Sequence, residues 1–327
     1  MTQITNPKIL TLCIATFNRS ERVTQLINEI LNFDIDDLIE ILVIDDGSSD
    51  DTYESISRFS SYKNVSVYRN EKNLGWAHTI VKYFQLCTTE FLLEVPDDDM
   101  IYKDGLLELL AFLSEHNPDF ICTRWIDVNR ELYPGRGNDK VQVIPLSKIK
   151  AKAGHSPGFV YRSSLMRNAE KIILEKIEKR STVIDVFPII IMLIIAKLSG
   201  AKLLDSPIVI GGYREEGPLQ SNFVDLEGNH YLSLPSAFAQ HIFLLEFYQE
   251  LLVEFKDSKF SKELLSTIEV HNNSFYNIID DAVSLYSSDL AQNFRIGSSR
   301  NFVNPLRAIK YFYKFILFKI QVIFFKR

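Results

Sequence analysis

Asp97, Asp98 and Asp99 follow the apolar run Phe91 to Val95 with only Pro96 between. Three carboxylates at the end of a buried strand repel one another and lose hydration unless positive charge neutralises them. The bland alternatives are an exposed turn, or a capping position ahead of the helix that starts near Lys103. A second acidic cluster, Asp45 to Asp51, ends another apolar run, Ile39 to Ile44, and the two clusters together favour a cation site. Hard divalent ions such as Mg²⁺ and Mn²⁺ take oxygen ligands, commonly one or two carboxylates plus substrate phosphates. Such a site would neutralise a diphosphate as it leaves.

The elements that position these groups follow from apolar spacing. Ile9 to Ala15 is a short apolar run ending in Thr16-Phe17-Asn18-Arg19-Ser20. Ser20 is placed to cap a helix in which Val23, Leu26, Ile27, Ile30 and Leu31 recur at helical intervals. Ile56 and Phe59 continue a helical pattern past the second acidic cluster. Val65 to Tyr68 alternates like a strand, and Ala77 to Leu86 reads as a helix. Strands alternating with helices at this interval predict a doubly wound, mostly parallel sheet flanked by helices, an α/β fold. Ligands of such sheets bind at the carboxyl ends of the strands. The polar clusters after strands one, two and four therefore share one rim. Residues 133–140 read as a loop, and a second section begins at Gly154 to Tyr161. Asp185 opens the apolar helix Val186 to Leu198, which is too short to span a bilayer. Residues 230–290 read as helical.

The bulk properties narrow the class. At 327 residues and 46% apolar composition the chain is globular, one large domain or two smaller ones. Cys13, Cys87 and Cys122 form no paired motif, which points to a reducing compartment and no thiolate metal cage. Met1 to Thr5 lacks a basic segment and an apolar core, which argues against a signal peptide. The sequence contains no GxGxxG after the first strand, no GxxxxGK[ST], no HExxH and no GxSxG. The net charge of −6 is unevenly spread: after Asp289 there are eight basic residues and no acidic one, leaving −14 on the rest.

Four segments in order, "LCIATFNRSERVTQLINEIL", "ILVIDDGSSDDT", "NEKNLGWAHTI" and "FLLEVPDDDMIYKDGLLELL", resemble the family 2 glycosyltransferases of the GT-A fold. They cover about the first 115 residues. "GHSPGFVYRSSLM", "IDVFPIIIMLIIAKL" and "LLDSPIVIGGYREEGPLQS" resemble the acceptor-side strand, the acidic residue before a helix, and the closing strand. The resemblance implies a nucleotide-sugar-binding half over 1–130 and an acceptor-binding half over 131–220. A helical region over 221–304 and a basic amphipathic helix over 305–327 complete the expected organisation. It implies that Thr16, Asn18 and Arg19 line the nucleotide, that Asp45 with Asp46 contacts the base, typically uracil, and that Asn73 and Gly75 form a turn nearby. The usual pattern is D-x-D-D followed by Pro-Asp. Aligning Asp104 with the last Asp puts Pro96 at the first position, Asp97 at x, and Asp98 and Asp99 at the last two. Asp98 is then the main ligand of Mn²⁺ or Mg²⁺, with Asp99 beside it and Asp97 near the ribose or diphosphate. Glu216 stands where many relatives carry a histidine ligand. Asp185 matches the general base of an inverting transfer, and it is equally a favoured helix N-cap. His155 reads as a loop or packed residue. Trp76 and Trp125 read as core, with stacking on an acceptor sugar left open for Trp125.

From Pro305 the run "LRAIKYFYKFILFKIQVIFFKR" places Arg307, Lys310, Lys314 and Gln321 on one stripe of a helix about 30 Å long. Lysines inside it favour an interfacial position over a spanning one, with an anionic membrane surface as partner. Packing on protein is the alternative, and nucleic acid is not expected because the globule is acidic. The expected function is transfer of a sugar from a nucleotide-sugar donor, UDP-linked, to a glycan or lipid-linked acceptor in cell-surface polysaccharide synthesis. The expected location is the cytoplasm, peripheral at the inner membrane face. A sugar-nucleotidyltransferase would need an N-terminal Gly-rich basic loop. A non-catalytic nucleotide-binding subunit is the alternative that Pro96 and Glu216 leave open.

Overall fold

A computed structural model describes residues 8–126, 140–144, 157–178 and 203–213, together with 244, 246–253, 262 and 265. The chain divides into two compact units. The first comprises Met1–Pro145, Ala151–Lys179 and Phe187–Gln220, and the second Leu146–Lys150, Arg180–Val186 and Ser221–Arg327.

The first unit opens with β1 (Leu10–Thr16), α1 (Ser20–Leu31), β2 (Ile39–Asp45), α2 (Thr52–Ser57) and β3 (Val65–Arg69). Next come α3 (Trp76–Leu86), β4 (Phe91–Glu94), β5 (Asp99–Ile101) and α4 (Lys103–His116). It continues with β6 (Phe120–Ile126), β7 (Gln142–Val143), β8 (Phe159–Arg162), α5 (Ser163–Glu178) and β9 (Leu203–Tyr213). Among the described residues the strands join one sheet in the order β3-β2-β1-β4-β8-β6-β9-β5, with β7 also paired to β9. β3, β2, β1 and β4 run parallel; β8 then lies antiparallel between β4 and β6. β6 and β9 are parallel, and β5 runs antiparallel to β9.

β1 and β2 are buried on both faces, which is why they read as unbroken apolar runs rather than alternating ones. α1 buries Val23, Leu26, Ile27 and Ile30, one stripe at helical spacing, against that sheet. α4 lies so close to β9 that a Cβ on Gly105 would come within 2.0 Å of the Val209 carbonyl oxygen. In the second unit, residues 246–253 are helical, and Phe247, Tyr248, Leu251 and Leu252 are buried.

One expectation needs correction. Ser20 does not cap α1: Arg19 is the N-cap residue, with no capping side chain, and Ser20 Oγ donates to Ser55 Oγ at 2.8 Å. The Arg19 N–H is instead taken by Thr52 Oγ1 at 3.0 Å, so the start of α1 is tied to the first residue of α2 rather than capped by its own serine. The core reading of Trp125 is borne out: it is fully buried, packed over Gly211, with no face left to stack on a sugar.

Candidate functional site

Parallel pairing sets the ends of β1, β2 and β4 side by side. Thr16 pairs in register with Asp45, the Asp46 N–H donates to the Thr16 carbonyl at 2.9 Å, and the Val95 N–H to the Cys13 carbonyl at 2.9 Å. The Asp97 run therefore rises beside the Thr16–Arg19 loop. Thr16 Oγ1 donates to Asp97 Oδ2 at 2.7 Å, and Arg19 Nη1 donates to Asp97 Oδ1 at 2.6 Å and to Asp98 Oδ2 at 3.0 Å. Arg22 Nη1 stands 3.6 Å from the same Asp98 oxygen. Asp97 and Asp99 are buried, while Asp98 is partly exposed. Asp97 and Asp99 are thus not the residues of a solvated turn, and the N-cap position of the helix that follows is Tyr102, not an aspartate. Burial disfavours the Asp97 anion and pushes its carboxyl above the ordinary carboxylate value, although Arg19 and the Thr16 hydrogen bond oppose the shift. Burial likewise disfavours the Arg19 cation, but Asp97 and Asp98 more than offset this and hold the guanidinium above its usual value.

The second acidic cluster shapes two loops. Asp45 has no exposed surface. Its carboxylate accepts the Ser48 N–H at 3.1 Å, the Ser48 hydroxyl, and Arg69 Nε at 3.2 Å. The Arg69 guanidinium in turn lies over the Tyr53 ring. Asp46 accepts Asn70 Nδ2 at 2.7 Å, the Leu74 N–H at 2.9 Å and the Gly75 N–H at 2.9 Å. Gly75 sits at φ 83°, and the Asn73 side chain accepts its N–H at 2.8 Å. At Gly47, φ 74°, a Cβ would come within 2.4 Å of the Lys72 backbone, so only glycine lets these loops meet. Asn18, itself at φ 53°, accepts the Ser49 N–H at 2.9 Å and locks the first loop to the second.

Residues 11–172 match the family model described as glycosyl transferase family 2. This segment is a family 2 glycosyltransferase domain. Poly(ribitol-phosphate) β-N-acetylglucosaminyltransferase TarS of Staphylococcus aureus (strain Mu50) is 26% identical over 182 residues, 50% of this chain and 29% of TarS. Abequosyltransferase RfbV of Salmonella typhimurium (strain LT2) is 28% identical over 184 residues, 50% of this chain and 54% of RfbV. The matched part thus spans little more than half of RfbV and under a third of TarS. The crystal structure of S. aureus TarS 1-349 superposes with a TM-score of 0.61 at 17% identity, covering 95% of this chain and 80% of that one. Its complex with UDP-GlcNAc superposes at 0.60 with 21% identity, covering 82% and 73%. The fold is GT-A, an α/β sheet flanked by helices.

Within the family 2 domain, Thr16, Asn18, Arg19, Asp45, Asp46, Asn73, Gly75, Asp97, Asp98 and Asp99 all lie at or beside the carboxyl-end rim. Asp185, Glu216, His155 and the 305–327 segment lie outside the described residues. Among the described residues no three His, Cys, Asp or Glu side chains gather as a metal cage. The donor chemistry still suits a hard ion: Asp98 offers a partly exposed carboxylate, and phosphates or water commonly complete such a shell. Sequence reading missed Arg22, Arg69 and the Trp76–Glu94 pair, in which Trp76 Nε1 donates to the buried Glu94 at 2.9 Å. Arg22 carried a usable signal, since it follows Arg19 by three residues on the first turn of a helix, where cations are locally unfavourable.

Proposed function

We propose that the protein is a metal-dependent, inverting glycosyltransferase that moves a sugar from a UDP-linked donor to a glycan or lipid-linked acceptor in cell-surface polysaccharide synthesis. The observation that carries this reading is the Thr16–Arg19–Asp97–Asp98 cluster on the carboxyl-end rim of a family 2 domain. The names of the relatives support it: TarS and RfbV are both named as sugar transferases, and TarS has been crystallised with UDP and with UDP-GlcNAc.

In this reading Thr16 and Arg19 fix Asp97, and Arg19 faces the donor's phosphates. Asn18 joins the first two loops, Asp45 with Asp46 forms the side of the pocket that meets the base, and Asn73 and Gly75 form the turn nearby that Asp46 holds. Asp98 and Asp99 are the oxygen donors for Mn²⁺ or Mg²⁺, with Glu216 as a further ligand. The ion would supply charge neutralisation of the leaving diphosphate. Asp185 takes the proton from the acceptor hydroxyl. The 305–327 segment rests on the anionic inner face of the membrane, where the acceptor lipid is held.

The test is a nucleotide-sugar panel read by thermal shift with Mn²⁺, followed by turnover with each donor that stabilises the chain. Stabilisation by UDP-linked donors, and loss of Mn²⁺-dependent turnover in Asp98→Ala, are expected. Full Mn²⁺-dependent turnover in Asp98→Ala would sink the metal assignment.

A further inference from the structure

Arg22 has no part in the reading above, yet its position is specific. It lies on the first turn of α1, three residues beyond Arg19, so both guanidinium groups rise from one side of the helix start. They converge on one atom, Asp98 Oδ2, at 3.0 Å from Arg19 and 3.6 Å from Arg22. The Arg22 side chain is 53% exposed, and ion pairs of that kind add little stability. Arg19 also already spans both Asp97 and Asp98, so neutralising those carboxylates does not require a second arginine.

The two guanidinium groups balance Asp97 and Asp98, and the buried Asp99 adds a third carboxylate close by. A divalent ion held by Asp98 would bring two further positive charges to the same carboxylate, and the longer, more exposed Arg22 contact is the one it would displace. Arg22 would remain on the first turn of α1, close to that carboxylate. There its planar fork of donors matches phosphate oxygens.

We propose that Arg22 is a diphosphate-binding residue that competes with the divalent ion for Asp98 in the donor-free protein and transfers to the donor's diphosphate when ion and donor bind. The inference rests on the glycosyltransferase reading and deepens it. It accounts for a cation at the positive end of a helix, and it leaves Asp98 compensated both before and after donor binding. It also makes an unusual demand on a single substitution. Removing Arg22 must weaken one ligand and strengthen the other.

The experiment uses the full chain and Arg22→Ala, with Arg22→Lys as the charge-preserving partner. Calorimetry with UDP in the presence of Mn²⁺ reads the diphosphate contact, and competition by uridine reads the base and ribose alone. Electron paramagnetic resonance of free Mn²⁺ reads ion binding without nucleotide. In Arg22→Ala the UDP dissociation constant is expected to rise about tenfold, as loss of one charge-assisted phosphate contact implies, with uridine unchanged. Mn²⁺ alone is expected to bind about two- to fivefold more tightly, because a surface ion pair no longer competes. Arg22→Lys should fall between, since it keeps the charge and loses the fork. Unchanged UDP affinity, or UDP and Mn²⁺ affinities that fall together, overturns the proposal. A wild-type chain that binds none of UDP, GDP, CDP or dTDP with Mn²⁺ overturns the glycosyltransferase reading itself, an outcome visible before any variant is made.

Discussion

Asp46 tests whether the rim is built by its carboxylates or merely decorated by them. In Asp46→Ala, three donors lose an acceptor: Asn70 Nδ2, the Leu74 N–H and the Gly75 N–H. They do not lose equally. Asn70 Nδ2 also reaches Thr79 Oγ1 at 3.2 Å, and the Gly75 N–H also reaches Asn73 Oδ1 at 2.8 Å. Those two bonds weaken rather than vanish, at roughly 0.5–1 kcal/mol each, whereas the part-buried Leu74 N–H, left without this acceptor, costs about 1–3 kcal/mol. The expected loss is therefore about 2–5 kcal/mol, less than three independent hydrogen bonds to a charged group would give. For a unit of this size that corresponds to a melting temperature lower by roughly 4–20 °C. Asp46→Asn keeps one oxygen for the loop and should lose about half as much. The assay is thermal unfolding by circular dichroism without nucleotide, so that ligand binding does not enter. An Asp46→Ala chain melting within about 2 °C of the parent would refute the reasoning, because the 70–75 loop would then be held by something else.

The pH dependence of Arg19→Met, measured in chelator, follows from the buried carboxylate beneath it. Burial raises the Asp97 carboxyl and Arg19 restrains that rise, so the variant carries Asp97 higher still. A raised native value means the folded chain keeps a proton that the unfolded chain releases. The stability this adds is complete below the unfolded value and is lost as pH rises through the folded one. The melting gap between Arg19→Met and parent should accordingly be wide near pH 7.5 and narrow towards about pH 5, and a constant gap would refute it. Gly105→Ala places a methyl about 2.0 Å from the Val209 carbonyl oxygen and 2.9 Å from its carbon, both backbone atoms. α4 must then move off β9, and a drop of roughly 3 kcal/mol or more in urea unfolding is expected, against near-neutrality if the helix adjusts freely.

The part of the fold that sequence discloses is the part whose residues carry their own period. β1, β2 and β4 are apolar on both faces, and α1 repeats its buried positions at helical spacing, so each element is legible without knowing its neighbours. β5 is different. It is three residues long, begins with Asp99, and is a strand only because Asp99 to Ile101 pair with Tyr213 to Gly211 on β9. β7 is two exposed residues that pair with Asp205 and Leu204. Neither segment has a pattern to read, because each owes its conformation to a partner far away in sequence. Ser20 reads as the cap of α1 for the same reason: what takes the Arg19 N–H is Thr52, the first residue of α2.

The site divides along the same line. Which groups gather follows from parallel topology and could be inferred; what each carboxylate touches could not. Asp45 and Asp46 are chemically identical neighbours, yet successive residues leaving a strand point to opposite sides. Asp45 therefore turns to Ser48 and Arg69, and Asp46 to the loop ending at Gly75. The Asp97 run is separated by a turn, closed by the Asp99 N–H on the Pro96 carbonyl at 3.3 Å. That turn sends Asp97 inward to Thr16 and Arg19, sets Asp99 into β5, and leaves Asp98 partly in solvent against two arginines. The adjacent charges of Asp97 and Asp98 are tolerable here because Arg19 bonds to both. In the proposed reading, the partly exposed Asp98 is the carboxylate open to an ion from solution, while the buried Asp97 holds Arg19 in place.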